Sequence, residues 1–153
     1  MPQSLSAGDL CTRSTVIAPG YLHITEAAQR MREHHVGCLV VVEERVEGCV
    51  PIGLLTDRDI VTAVLANQLE PRALCVEDVM SGNPVIAAES ESVLDVLASM
   101  RRAGVRRVPV VDERGVLQGV LSFDDVLEIV AEQVQALVQV LASARRHEPQ
   151  RRP

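Results

Sequence analysis

The chain has 153 residues, a formal net charge of −6 and 47% hydrophobic residues, with one Phe, one Tyr and no Trp. That length supports one ordinary domain or two small units sharing a core, and the core has to be built from Val, Leu, Ile, Ala and Met. Net negative charge and the shortage of stacking aromatics argue against a nucleic-acid partner.

No uninterrupted apolar run approaches the roughly 20 residues of a bilayer-spanning helix. The opening Met1-Pro2-Gln3-Ser4 lacks the basic and apolar regions of a secretory signal. A cytoplasmic protein with no membrane partner is therefore expected. Cys11, Cys38, Cys49 and Cys75 form no CxxC pair and have no close His spacing, so neither disulfides nor a metal site is expected. Cys38 reads as a small hydrophobe within an apolar run.

In chain order, a short strand is predicted at Val16-Ile17-Ala18. An amphipathic helix follows, with Ile24, Ala27, Ala28 and Met31 at i, i+3, i+4 and i+7. His34-His35 falls at its C-terminal end, where cationic side chains suit the helix dipole. A hairpin spans about 38–43 and 51–56, and its first strand, Cys38-Leu39-Val40-Val41-Val42, lacks period-two alternation and should be covered on both faces. A helix starting near Asp57 carries Ile60, Val61, Val64 and Leu65 and ends before Pro71.

The same order then recurs. A strand is predicted at Val85-Ile86-Ala87, and a helix carrying Val93, Leu97 and Met100, with Ser92 and Asp95 as its starting cap pair. The next hairpin spans 107–111 and 116–122 around the turn Asp112-Glu113-Arg114-Gly115. The last helix starts near Asp124 and holds an apolar stripe, Val126, Val130, Val134, Leu137, Val138 and Leu141, that outlasts the repeat and calls for a partner surface or a seat on the module. A disordered basic tail is expected over 145–153.

These recurrences form an internal repeat. Gly53-Leu54-Leu55-Thr56-Asp57-Arg58-Asp59-Ile60 returns as Gly119-Val120-Leu121-Ser122-Phe123-Asp124-Asp125-Val126. Upstream, Asp9-Leu10-Cys11-Thr12 returns as Asp78-Val79-Met80-Ser81. The offset is 69 before the hairpins and 66 after them, so three extra residues belong to the first hairpin loop. The division predicted is 1–75 for the first repeat, 76–135 for the second, and 136–153 for a helix extension and tail.

A duplicated β-α-β-β-α unit, each copy closed by Gly-hydrophobic-hydrophobic-Ser/Thr-x-x-Asp, resembles the cystathionine-β-synthase (CBS) domain, and two in tandem resemble the CBS pair or Bateman module. The likeness covers about 9–134. It implies an α+β fold of two repeats about a pseudo-twofold axis, with two clefts between them. It also implies adenosyl ligands such as AMP, ADP, ATP or S-adenosylmethionine, with no required cofactor, and assembly as a disc-shaped homodimer.

The chemistry is consistent with that. An ionised Asp accepts only, and its two oxygens can take both hydroxyls of a ribose. A hydroxyl at the strand-to-helix junction sits beside free helix amides suited to phosphate. The resemblance then places Asp125 and Asp59 on ribose, with Ser122 and Thr56 nearer the ribose-phosphate. The same spacing is also that of a plain helix N-cap, and both uses are compatible. Arg107 aligns with a phosphate-contacting arginine of nucleotide-binding members, whereas its counterpart Cys38 cannot neutralise phosphate. Arg58 could compensate, or pair with Asp57 or Glu70.

By resemblance, Val16, Val36, Gly37 and Cys38, with Val120, should wall the Asp125 cleft. Val85, Val105, Arg106 and Leu54 should wall the Asp59 cleft. The Asp125 cleft ranks first. The sequence contains no Ser-His-Asp set, phosphate loop or His-Glu-x-x-His element. The expected function is a non-enzymatic sensor signalling to an unidentified protein partner; the alternative is a dimerisation scaffold with degenerate clefts.

Overall fold

The structure is a computed structural model and describes residues 4–147. Among the described residues, fifteen elements run as two matching sets. The first comprises α1 (Ala7–Leu10), β1 (Ile17–Pro19), α2 (Ile24–His34), β2 (Cys38–Arg45), β3 (Gly48–Thr56) and α3 (Asp57–Asp59). A π-helical segment (Ile60–Leu65) and a 3-10 turn (Pro71–Ala73) follow. The second set comprises α4 (Val76–Val79), β4 (Ser81–Gly82), β5 (Ala87–Ala88), α5 (Val93–Ala103), β6 (Arg107–Val111), β7 (Leu117–Ser122) and α6 (Phe123–His147).

Two mixed sheets result, ordered β1-β2-β3-β4 and β5-β6-β7. In each, the first strand lies parallel to the second and the hairpin is antiparallel. A register shift falls between Val41 and Val42 in one hairpin and between Val110 and Val111, the equivalent pair, in the other. Duplication thus extends to the bulges. The first strands sit slightly later than expected, at Ile17–Pro19 and Ala87–Ala88.

The three additional residues of the first hairpin do not lengthen its loop. They extend the ladder through Glu43↔Val50, Glu44↔Cys49 and Arg45↔Gly48, and Gly48 takes φ 137° beside the turn. Extra main-chain pairing satisfies donors that a longer loop would leave to water.

Each α2 or α5 ends in a left-handed residue. In repeat two this is Gly104 (φ 67°), the usual choice; in repeat one it is His35 (φ 54°). The helix after β3 also departs from expectation. Only Asp57–Asp59 is α-helical, and the next turn is wide, with Ala66 N donating to Val61 O. β-branched side chains at Ile60, Val61, Thr62 and Val64 crowd the preceding turn, and the widened turn still buries Ile60 and Val64.

Two apolar cores form, and each is completed by the other repeat's leader. Ala18, Ile24, Leu39, Val41 and Leu55 pack with Val76 of α4. Val93, Val96, Val108, Val110 and Leu121 pack with Ala7 of α1. The exchange is hydrogen-bonded and reciprocal. Ala7 N donates to Glu91 O at 2.8 Å, as Val76 N does to Leu22 O at 2.8 Å. Gly8 N donates to Glu89 O, as Glu77 N does to Gly20 O, both at 3.0 Å. Such paired contacts are the signature of the pseudo-twofold.

The last helix has 25 residues, of which Val126 alone is buried, and every residue from Ala131 to His147 is exposed. It therefore leaves the body of the molecule after about two turns. Arg145, Arg146 and His147, expected in a disordered tail, form its last turn; 148–153 lie outside the described residues. By length and composition α6 could cross a membrane, with a mean hydropathy of 1.3 over its most apolar 18 residues. Glu132, Gln133, Gln135 and Gln139 interrupt its apolar residues, so no unbroken apolar run marks it in the sequence.

Candidate functional site

β3 and β7 make contact across the repeats, and each runs straight into a helix, at Thr56-Asp57 and Ser122-Phe123. The two junctions share a spacing but not a hydrogen-bond pattern.

At the first junction Thr56 and Asp59 form a closed capping box. Asp59 N donates to Thr56 Oγ1 at 3.1 Å, and Asp59 Oδ2 accepts from Thr56 N at 2.9 Å. Two orphan helix donors are satisfied this way, and the carboxylate is already engaged. At the second junction Asp125 N donates to Ser122 Oγ at 3.1 Å, but among the described residues nothing donates to the Asp125 carboxylate. Half of the box is made, and the acid is left over.

That acid lines a cleft of about 290 Å³. Arg107 shares the cleft and takes part in no ion pair or side-chain hydrogen bond among the described residues. Val36, Val40 and Val120 supply apolar walls, with Gly37 and Cys38 between them. Thr12, Ser14, Thr15 and Ser122 supply hydroxyls. Residues from the leader, from repeat one and from repeat two thus meet in one place. The Cys38 thiol is held above its usual range by burial; the Arg107 guanidinium opposes that, while Asp59 and Asp57 add to it. Cys38 is therefore an apolar wall residue here and not a thiolate.

Of the residues expected at this cleft, Ser122, Asp125, Arg107, Val120, Val36, Gly37 and Cys38 line it. Val16 does not. Its side chain packs on the first core instead, and its carbonyl accepts from Val40 N at 3.1 Å. Thr12, Ser14, Thr15 and Val40 were missed as cleft residues. The Thr12-x-Ser14-Thr15 hydroxyl cluster was the available signal, but its place depends on the leader crossing to the other repeat.

The residues expected around Asp59 are engaged elsewhere. Thr56 is consumed with Asp59 in the capping box. Arg106 pairs with Asp124 at 2.9 Å and lies over the Phe123 ring at 5.6 Å, so it is drawn to its own repeat. Val85 and Val105 pack on the second core. Leu54 pairs with Ser81 of β4. Arg58 is exposed, and its backbone N–H, not its guanidinium, reaches Asp57 Oδ1 at 2.8 Å. Among the described residues no group of three or more His, Cys, Asp or Glu is placed to hold a metal ion.

Two small α/β repeats, clasped by exchanged leaders with a polar cleft on their seam, define a tandem CBS-type module. Comparison with known proteins agrees. A family model of the CBS domain matches residues 7–66 and 76–132, and the chain belongs to that family. It is 34% identical over 128 residues to the uncharacterized protein MK0525 of Methanopyrus kandleri, covering 83% of this chain and 63% of that protein. The chain thus spans a little under two thirds of that relative's length. Among solved structures, it resembles the CBS domain pair of protein MJ0100 in complex with 5-methylthioadenosine and S-adenosyl-L-methionine, with TM-score 0.73, 25% identity, and 85% and 98% of the two chains covered. It also resembles CBS domain protein PAE2072 from Pyrobaculum aerophilum complexed with AMP, with TM-score 0.69, 27% identity, and 78% and 88% covered.

Proposed function

We propose that this chain is a regulatory module that takes one adenosine-containing ligand in the Asp125 cleft and transmits its occupancy to a partner protein. The observation that carries this reading is that, among the described residues, the Asp125 carboxylate is unengaged and faces the same 290 Å³ cleft as Arg107, which has no ion pair there. A cleft near the lower end of the roughly 300–1,000 Å³ range of small-molecule sites suits a nucleoside-sized guest. Asp125 would accept from the ribose hydroxyls, the valines and Gly37 would flank the base, and Arg107 would meet a phosphate or carboxylate. Relatives of known structure bound to AMP or S-adenosyl-L-methionine support this class of ligand.

The asymmetry of the two junctions favours one occupied cleft per chain. Signalling follows if the ligand binds one arrangement of the two repeats more tightly than another, and the cleft's walls come from both repeats. The module acts as a sensor and not as a catalyst in this reading, and the cytoplasm is its proposed compartment.

The test is a melting-temperature panel with AMP, ADP, ATP, S-adenosylmethionine and adenosine. A ligand at 100 times its dissociation constant stabilises by roughly 2.7 kcal/mol, a shift on the order of several degrees for a chain of this size. No shift with any of the five would remove the sensor reading and leave the scaffold one.

A further inference from the structure

The Asp125 cleft meets β2 at Cys38 and Val40. Toward the other end of the same strand, at Val42, Glu43 and Glu44, lies another cavity, of about 530 Å³. That volume falls within the roughly 300–1,000 Å³ of small-molecule sites. Ile17, Val42 and Ile52 give it apolar walls, and Tyr21, 77% exposed, stands beside them.

The charges of this cavity are unmatched. Arg30, on α2, lines it half-buried, and its Nη1 donates to Ile17 O at 2.8 Å. β1 is the outer strand of its sheet, so that bond satisfies an edge carbonyl and fixes the guanidinium in place. It uses one of five donors. Glu44 on β2 and Glu77 on α4 line the same cavity. Among the described residues Arg30, Glu44 and Glu77 enter no ion pair, whereas Glu43 is matched by Arg45. One cation and two acids thus share a cavity without closing on one another, because three different elements hold them apart.

The equivalent cavity of repeat two is smaller, about 350 Å³, and better matched. Ser90 stands where repeat one has Tyr21, and Ser99 where it has Arg30. Glu89 pairs with Arg13, and Asp112 with Arg114. The extended ladder of the first hairpin accounts for part of the difference, since its Glu44↔Cys49 rung supplies two lining residues.

A guest with one pole of each sign would meet all three unmatched groups. A carboxylate suits the guanidinium fork, and an ammonium suits the two carboxylates. A bulky apolar group could lie on Ile17, Val42 and Ile52 with the Tyr21 ring at its flank. A nucleotide fits less well, because its phosphates would approach two uncompensated acids.

We propose that this cavity is a separate ligand site that takes a free α-amino acid with a bulky apolar side chain. It stands independently of the adenosyl reading of the Asp125 cleft. The test is calorimetric titration of the full chain with L-leucine, L-methionine, L-phenylalanine and L-tryptophan, at least one of which should bind saturably. For that amino acid, the analogue lacking the amine and the analogue lacking the carboxylate should each bind on the order of 10- to 100-fold more weakly, the loss of one charged partner. Glu77→Gln should weaken the amino acid about tenfold and leave the deaminated analogue unchanged. Glu77 is exposed, so this variant keeps its fold. Arg30→Gln should weaken the amino acid and spare the decarboxylated amine. Asp125→Ala should change none of these affinities. Binding of none of the four overturns the site. So does an analogue with one pole that binds as well as the amino acid, or binding that survives Glu77→Gln and is lost in Asp125→Ala, which would place the amino acid in the other cleft.

Discussion

Thr12 and Val120 exchange two backbone hydrogen bonds across the seam of the molecule, Thr12 N to Val120 O at 2.9 Å and Val120 N to Thr12 O at 3.0 Å. Ser81 and Leu54, their counterparts, pair in the same way in the other half. The clasp explains the glycine that opens each closing motif. A methyl group on Gly119 would stand 2.6 Å from Thr12 O and 2.9 Å from Cys11 Sγ; one on Gly53 would stand 2.6 Å from Met80 Sδ and 2.8 Å from Ser81 O. Both replacements push on backbone carbonyls that cannot yield without opening the clasp. Gly119→Ala and Gly53→Ala should each destabilise by about 1–3 kcal/mol, measured by chemical denaturation. Gly119→Ala should in addition weaken any ligand of the Asp125 cleft, since Thr12 and Val120 line it.

The unequal junctions give opposite expectations for two equivalent acids. Asp125→Ala should abolish the ligand-induced rise in melting temperature while changing the unliganded melt little. Asp59→Ala should leave the ligand response intact and cost about 1 kcal/mol of stability through loss of the capping box. Loss of the ligand response in the Asp59 variant alone would reverse the assignment of the two sites.

Arg107 separates ligands by their anionic group. A hydrogen bond to a charged group contributes about 1.5–3 kcal/mol, so Arg107→Ala should weaken AMP on the order of 10- to 100-fold and adenosine hardly at all. Calorimetric titration of both ligands decides it; an equal loss for the two would place Arg107 outside the phosphate region.

His35 holds the left-handed position that Gly104 holds in the second repeat. A residue with a β-carbon pays roughly 1–2 kcal/mol for that conformation. His35→Gly should therefore raise the melting temperature by a few degrees, and Gly104→Ala should lower it by a similar amount.

Asp112 organises the second hairpin turn. Its carboxylate accepts from Val116 N at 3.0 Å and Arg114 N at 2.8 Å, and from the Arg114 and Gln118 side chains at 3.3 Å. These bonds, that from Val116 above all, hold its carboxyl below the usual range. A carboxyl lowered on folding contributes stability above its unfolded value and loses it as pH falls through the folded one. Denaturation midpoints of the native chain and of Asp112→Asn should therefore differ at neutral pH and converge in acid.

Much of this molecule could be read from the chain alone, for identifiable reasons. The repeat set the order of elements, and the hydrophobic steps at Ile24, Ala27 and Met31 fixed which helix face is buried. Seven of the eight residues that the family resemblance implies for the Asp125 cleft line it; strand ends and helix starts have local signals, but the pairing of one repeat's acid with the other repeat's strand came from the resemblance. What escaped was non-local. Thr56-x-x-Asp59 and Ser122-x-x-Asp125 have the same spacing, and only the surrounding fold leaves one acid engaged and the other open. The leader segments gave no sign that Ala7 and Val76 would each enter the opposite core. The three additional hairpin residues were equally silent, since a loop and a longer ladder use the same amino acids.

The crossed leaders carry a consequence for how the chain comes into being. As it leaves the ribosome, the first half emerges with Leu39, Val41 and Leu55 awaiting a lid that is translated later, at Val76, while Ala7 waits longer still for Val108 and Leu121. Neither half can finish its own interior, so folding completes only when both are present. Any halfway state displays two unfinished hydrophobic surfaces of matching shape, and a neighbouring nascent copy could supply the missing piece as readily as the chain itself.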